Sequence, residues 1–187
     1  MAVEAQDSKP LEARLNIAIL TFHHVDELEL ISLYSHLHQQ LDPERYAIFL
    51  LAKARNSVES ERGVVITPHW GFMSVPTIDI LIIPGGKGID GYVKKDRVSK
   101  DYLKRLIPNL ALTIALSEGV FLLGMLGFLR DLIATAPQGQ QGRLADYEVG
   151  EVLTAGIAEN ANGIWCAQGE GISLNVVKRL HEYLNLK

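Results

Sequence analysis

Four short apolar runs constrain this chain more than anything else in it: Leu15 to Thr21, Tyr46 to Ala52, Ile78 to Ile83 and Ala111 to Leu116. Each has the length of a strand, and none keeps up the apolar–polar alternation of a strand with one wet face. Such runs belong to strands covered on both faces, the condition of a parallel sheet sandwiched between helices. The intervening segments supply those helices. Asp26 to Leu41 carries Leu30, Tyr34, Leu37 and Leu41 at helical spacing and ends at Asp42-Pro43. A helix is expected from about Ser99 to Leu106, and the apolar stretch Gly119 to Gly127 reads as a buried helix. Gly63 to Pro68 reads as a short strand stopped at proline. Beyond residue 130, Val152 to Ile157 and Ile164 to Ala167 are further candidate strands, and Ile172 to Leu184 is a last helix.

A chain of 187 residues suits one α/β domain, here residues 15–187, with no linker to divide it. Residues 1–14 are polar and charged and are expected to be a flexible tail. Hydrophobic content of 48% against 21% charged residues is that of a folded globule. The net charge is −4 and the basic residues are scattered, which argues against nucleic acid or an anionic membrane surface as partner. No apolar run approaches the ~18 residues of a spanning helix. Cys166 is the only cysteine, which excludes an internal disulfide and a multi-cysteine metal site and suits the cytoplasm.

Ser117 sits between an apolar strand and an apolar helix. Strand, one small polar residue, helix is the pattern of a nucleophile elbow, and equally of a plain helix cap with Glu118 in the first turn. In an open α/β sheet, ligands bind beyond the carboxyl ends of the strands, near a switch in strand order. That rule collects the loop Phe22 to Glu29, the glycine loop Pro84-Gly85-Gly86-Lys87-Gly88, and the turn at Ser117. His23, His24 and Asp26 have metal-ligand atom types but no ligand spacing, and two adjacent histidines in a polar loop are more often surface residues. The glycine loop lacks the Lys-Ser/Thr of a phosphate loop, and the first strand is not followed by Gly-x-Gly-x-x-Gly. Neither a metal nor another cofactor is expected.

These segments, in this order, resemble the ThiJ/PfpI family of the class I glutamine amidotransferase-like superfamily. Asp79-Ile80-Leu81-Ile82-Ile83-Pro84-Gly85-Gly86 is similar to the family's strand and Pro-Gly-Gly turn. Ala115-Leu116-Ser117-Glu118-Gly119-Val120-Phe121-Leu122-Leu123 is similar to its Ala-x-Cys-x-Gly-x-x-Leu-Leu elbow. Gly127 to Thr135 and Gln168-Gly169-Glu170-Gly171-Ile172 extend the likeness, which runs from about Leu15 to Leu184. The resemblance implies a flavodoxin-like parallel sheet and a homodimer. It places Ser117 in a strained elbow and Glu29 at the carboxylate beside the nucleophile. Gly85, Gly86 and Glu118 fall where the family's oxyanion-binding loop and amide lie.

Departures from the pattern bear on function. A cysteine in such an elbow is activated as a thiolate at a helix N-terminus; the hydroxyl of Ser117 needs a base to be nucleophilic near neutral pH. Glu118 and Pro137 stand where many relatives carry a histidine. His23, His24, Asp26, Trp165 and Cys166 are possible pocket members, Cys166 more readily a small buried hydrophobe. Two functions are expected from this set. One is a small-molecule-binding or regulatory protein that lacks the cysteine chemistry. The other is a hydrolase, hydratase or lyase acting on a small carbonyl or amide-like substrate, with Glu29 as acid/base and Ser117 either contributing or idle.

Overall fold

A computed structural model describes residues 14–169 and 171–186. The expected tail lies outside the described residues apart from Arg14, as does Glu170. The chain opens with β1 (Leu15–Leu20), α1 (Glu27–Gln40) and β2 (Tyr46–Ala52), followed by a small antiparallel hairpin, β3 (Val58–Glu59) and β4 (Val65–Ile66). A short edge strand β5 (Trp70–Gly71) precedes β6 (Ile80–Ile83), α2 (Gly88–Lys95) and α3 (Arg97–Leu106). Then come β7 (Leu112–Leu116), α4 (Gly119–Leu126), β8 (Ile133–Thr135), β9 (Glu151–Leu153), β10 (Gly156–Glu159), β11 (Ile164–Gln168) and α5 (Ile172–Asn185).

Among the described residues the main sheet has seven strands in the order β10-β11-β7-β6-β1-β2-β5. Every pairing in it is parallel except β10 with β11, an antiparallel edge. The continuous apolar runs have the cause inferred for them: Ile17 to Leu20 of β1, all of β6 and all of β7 are buried, as strands covered on both sides must be. Helix α1 packs with α5, and α2 packs with α3 and α4. This is the flavodoxin-like sandwich expected from the sequence. No helix among the described residues is long and apolar enough to cross a membrane.

Several boundaries differ from expectation. The run Val152 to Ile157 is two strands, because the chain turns at Thr154 and Ala155: β9 pairs with β8 in a separate two-stranded sheet, and β10 joins the main one. Helix α2 was not expected, since Gly88 and Gly91 weaken the helical signal at its start. The strand expected over Gly63 to Pro68 shrinks to β4.

Candidate functional site

The strand order reverses at β1. The chain leaves β1 toward β2 and β5, then returns to β6 on the other side of β1, so the crevice lies beyond the carboxyl ends of β1 and β6. Asp26 builds one wall. It caps α1 by accepting hydrogen bonds from the Leu28 and Glu29 amides at 2.9 and 3.1 Å, and its own amide donates to the Gly85 carbonyl at 3.0 Å. The helix start and the glycine loop are thereby clamped together. Glu29, in the first turn of α1, reaches across that clamp: the Gly85 amide donates to its Oε2 at 2.5 Å, and the Ser117 hydroxyl donates to its Oε1 at 2.7 Å.

Ser117 has φ = 47°, a conformation in which a non-glycine residue is strained. The elbow expected from the sequence is therefore present. The competing reading, a simple helix cap, is not: the N-cap position belongs to Glu118, which makes no side-chain cap bond, while the Ser117 hydroxyl is committed to a partner 88 residues back. Glycine permits the close approach around it. A Cβ at Gly85 would lie 2.8 Å from the Ser117 Cβ, and one at Gly86, where φ is 137°, would lie 2.6 Å from the Asp26 amide. Among the described residues neither the Gly86 nor the Glu118 amide N–H donates to a protein acceptor.

Burial pushes the Glu29 carboxyl above the usual carboxylate range. The hydrogen bonds from Ser117 and Gly85 pull the other way without cancelling it, and the nearby charges of Asp26 and Glu118 add to the rise. Beside this carboxyl lies a cavity of about 400 Å³ between α1 and the start of α5, lined by Asp26, Glu29, Ser32, His36, Gly169 and Ile172 among others. The arrangement offers a carboxyl with raised proton affinity, a hydroxyl bonded to it and unpaired backbone donors at one crevice. That is equipment for gripping a small polar molecule or moving a proton on it.

The structure brings Asp26, Glu29, Gly85, Gly86, Ser117 and Glu118 together, but not the remaining candidates. The exposed His23 accepts from the Glu59 amide at 3.3 Å and lines a different cavity, with Lys53 and Asp96, while His24 is exposed at a left-handed turn with φ = 60°. Trp165 is buried edge-on against Tyr183 of α5. Cys166 is fully buried, and its thiol is pushed up to about 12 by that burial, so it is a core residue and no relocated nucleophile. Among the described residues no group of three or more His, Cys, Asp or Glu is placed to hold a metal ion.

Sequence reading missed a polar chain behind the elbow. Gln140 donates to the Glu118 carboxylate at 3.2 Å, Arg143 donates to Gln140 at 2.9 Å and to Asp90 at 2.8 Å, and the Arg143 guanidinium lies 3.7 Å from the centre of the Phe121 ring. In the sequence, Gln138 to Gly142 is a Gln/Gly-rich stretch that reads as loop.

Known proteins share this architecture. An isonitrile hydratase from Pseudomonas putida is 27% identical over 121 residues, covering 65% of this chain and 51% of that protein, so the chain spans about half the length of this curated relative. The crystal structure of a ThiJ/PfpI family protein from Pseudomonas syringae superposes with a TM-score of 0.80 at 20% identity, covering 98% of this chain and 75% of that one. Drosophila melanogaster DJ-1beta superposes with a TM-score of 0.79 at 16% identity, covering 93% and 92%. The family model of DJ-1/PfpI matches residues 15–171, which takes in the crevice, the glycine loop and the elbow: the chain belongs to the DJ-1/PfpI family.

Proposed function

We propose that this protein binds a small neutral molecule at the elbow, in a binding or regulatory role, and that Ser117 stands where thiol-dependent relatives carry their nucleophile. One observation carries the reading: the Ser117 hydroxyl donates to the carboxyl of Glu29, and among the described residues no histidine bonds to it. A carboxylate is a far weaker base than a serine alkoxide, so this pair leaves the hydroxyl un-ionised near neutral pH. The Gly86 and Glu118 amides remain free to receive a ligand acceptor atom. The test is covalent. Wild-type protein incubated with a fluorophosphonate and read by intact mass should show no adduct, and labelling at Ser117 would overturn the reading.

A second reading is favoured by the raised carboxyl of Glu29. A carboxyl lifted by burial can hold and release a proton closer to neutrality, as acid/base catalysis in a hydrolase, hydratase or lyase requires. The isonitrile hydratase relative suggests the assay. Water adding across an aliphatic isonitrile gives the N-substituted formamide, with one proton delivered to carbon and one to nitrogen. Turnover lost in Glu29→Gln and kept in Ser117→Ala would establish this second reading over the first. Turnover lost in Ser117→Ala as well would give the hydroxyl a part in the reaction and overturn the first reading. Under either reading we take the chain to act as a cytoplasmic homodimer, supported by the exposed apolar residues Leu28 and Ile31 on α1 and by a lone cysteine.

A further inference from the structure

A second cavity, about 500 Å³, opens at the same carboxyl edge, past the end of β11. Its walls are Gln138 and Gln141 from the segment after β8, Thr154 and Ala155 from the turn between β9 and β10, and Gln168 and Gly169 at the end of β11. Every one of these residues is uncharged. Ala167 pairs with Leu116 in the parallel ladder, and the Ala167 carbonyl accepts the Ser117 amide at 3.0 Å, which sets Gln168 alongside the elbow. Gly169 lines both this cavity and the one beside Glu29, and a Cβ added there would meet nothing within 4 Å. Gly169 is therefore a wall common to both cavities.

The Oε1 atom of Gln168 is buried with no hydrogen-bond partner among the described residues. Turning the carboxamide over would put its NH2 in the same unpaired position. Thr113 and Thr135 also bury unpaired hydroxyls, but they sit within strands of the core. Gln168 differs in lining a cavity. A buried unpaired polar atom costs free energy that a ligand supplying its partner returns. Because the described walls carry no charge, that ligand group is neutral, and because three of them are carboxamides, it both donates and accepts.

We propose that the Gln138–Gln141–Gln168 cavity is the specificity subsite of the elbow, receiving a primary carboxamide while the rest of the molecule crosses Gly169 toward the Gly86 and Glu118 amides. The proposal rests on the reading that the elbow binds a small molecule. The probe is glutaramide, with glutarate as the matched dianion. Binding is followed by titration calorimetry and by nuclear magnetic resonance of the Gln168 side-chain amide and of the Gly86 and Glu118 backbone amides. Glutaramide should bind at least about tenfold more tightly than glutarate, since a carboxylate cannot donate to a buried acceptor. Gln168→Leu and, independently, Gln141→Leu should each remove most of that preference, and the second variant keeps the test open if the first fails to fold. If the Gly86 and Glu118 signals move while Gln168 stays still and the two ligands bind alike, the subsite is overturned and elbow binding stands. Movement of Gln168 without Gly86 or Glu118 would keep the carboxamide site and remove the elbow from it. Absence of any shift overturns the subsite.

Discussion

At the residue scale, Glu29 ties titration to stability. Burial raises its pKa in the folded state above the ordinary value of 4.5, so the folded protein holds this proton more tightly than the unfolded chain. The stabilisation this brings is complete below the unfolded pKa and is lost as pH rises through the folded one. A glutamine fits the same bonds, its oxygen accepting from Gly85 and its NH2 donating to the Ser117 oxygen, with nothing to ionise. Urea midpoints of wild type and Glu29→Gln, compared at pH 4.5 and pH 8, should therefore diverge, with wild type losing ground at the higher pH; a constant gap would show that Glu29 does not titrate in this range. Ser117→Cys asks the complementary question. A thiol at a positive-φ elbow, next to unpaired amides at the start of α4, should ionise below the ~8.5 of a free cysteine. Iodoacetamide should then add one adduct to the native variant at pH 7, with Cys166, buried and pushed up to about 12, labelled only after denaturation. Two native adducts would contradict the burial of Cys166.

Elements rather than side chains decide how the elbow is held. Helix α4 begins directly against the end of β6, where a Cβ at Gly119 would crowd the Ile83 carbonyl and lie 2.9 Å from that of Pro84. Neither neighbour is a flexible side-chain tip, so the helix start must shift. Gly119→Ala should cost about 1–3 kcal/mol in chemical denaturation. Gly91, within α2, is the opposite case: among the described residues nothing lies within 4 Å of an added Cβ, so Gly91→Ala should stabilise by roughly 0.5–1 kcal/mol through helix propensity. An equal effect at both positions would show that the packing at the α4 start is not tight. The same contrast marks what the sequence could convey. Buried strands such as β2 and β7 were legible because continuous apolar runs have few other uses, and α1 because its stripe and its Asp-Pro stop agree. Helix α2 and the β9–β10 division were not, since glycines blur one and a tight turn hides in the apolar run of the other. The bond between Glu29 and Ser117 spans 88 residues and leaves no periodic trace, so only a family resemblance placed the two together. No such aid existed for Gln140 and Arg143, whose partners are set by how loops fold back on α4.

For the whole molecule, the unsettled surface is the outer side of α1. Its inward stripe, Leu30, Leu33 and Leu37, is buried, yet Leu28 is 72% exposed and Ile31 is 52% exposed, one turn apart on the same helix that carries Glu29. Scattered exposed leucines need no explanation singly. Two adjacent ones do, because Leu28 lines the cavity beside Glu29 and anything covering it would also shape the site. A second copy of the chain is the occupant expected here. Light scattering at micromolar concentration should return twice the 20.7 kDa chain mass. The double variant Leu28→Glu, Ile31→Glu puts four like charges at a two-fold contact and should shift the mass to that of one chain with the far-ultraviolet circular dichroism unchanged. A wild-type mass of one chain would refute the homodimer, and a dimer indifferent to both charges would move its interface away from α1. In the second case the cavity beside Glu29 stays open to solvent, and its ligand must be held by this chain alone.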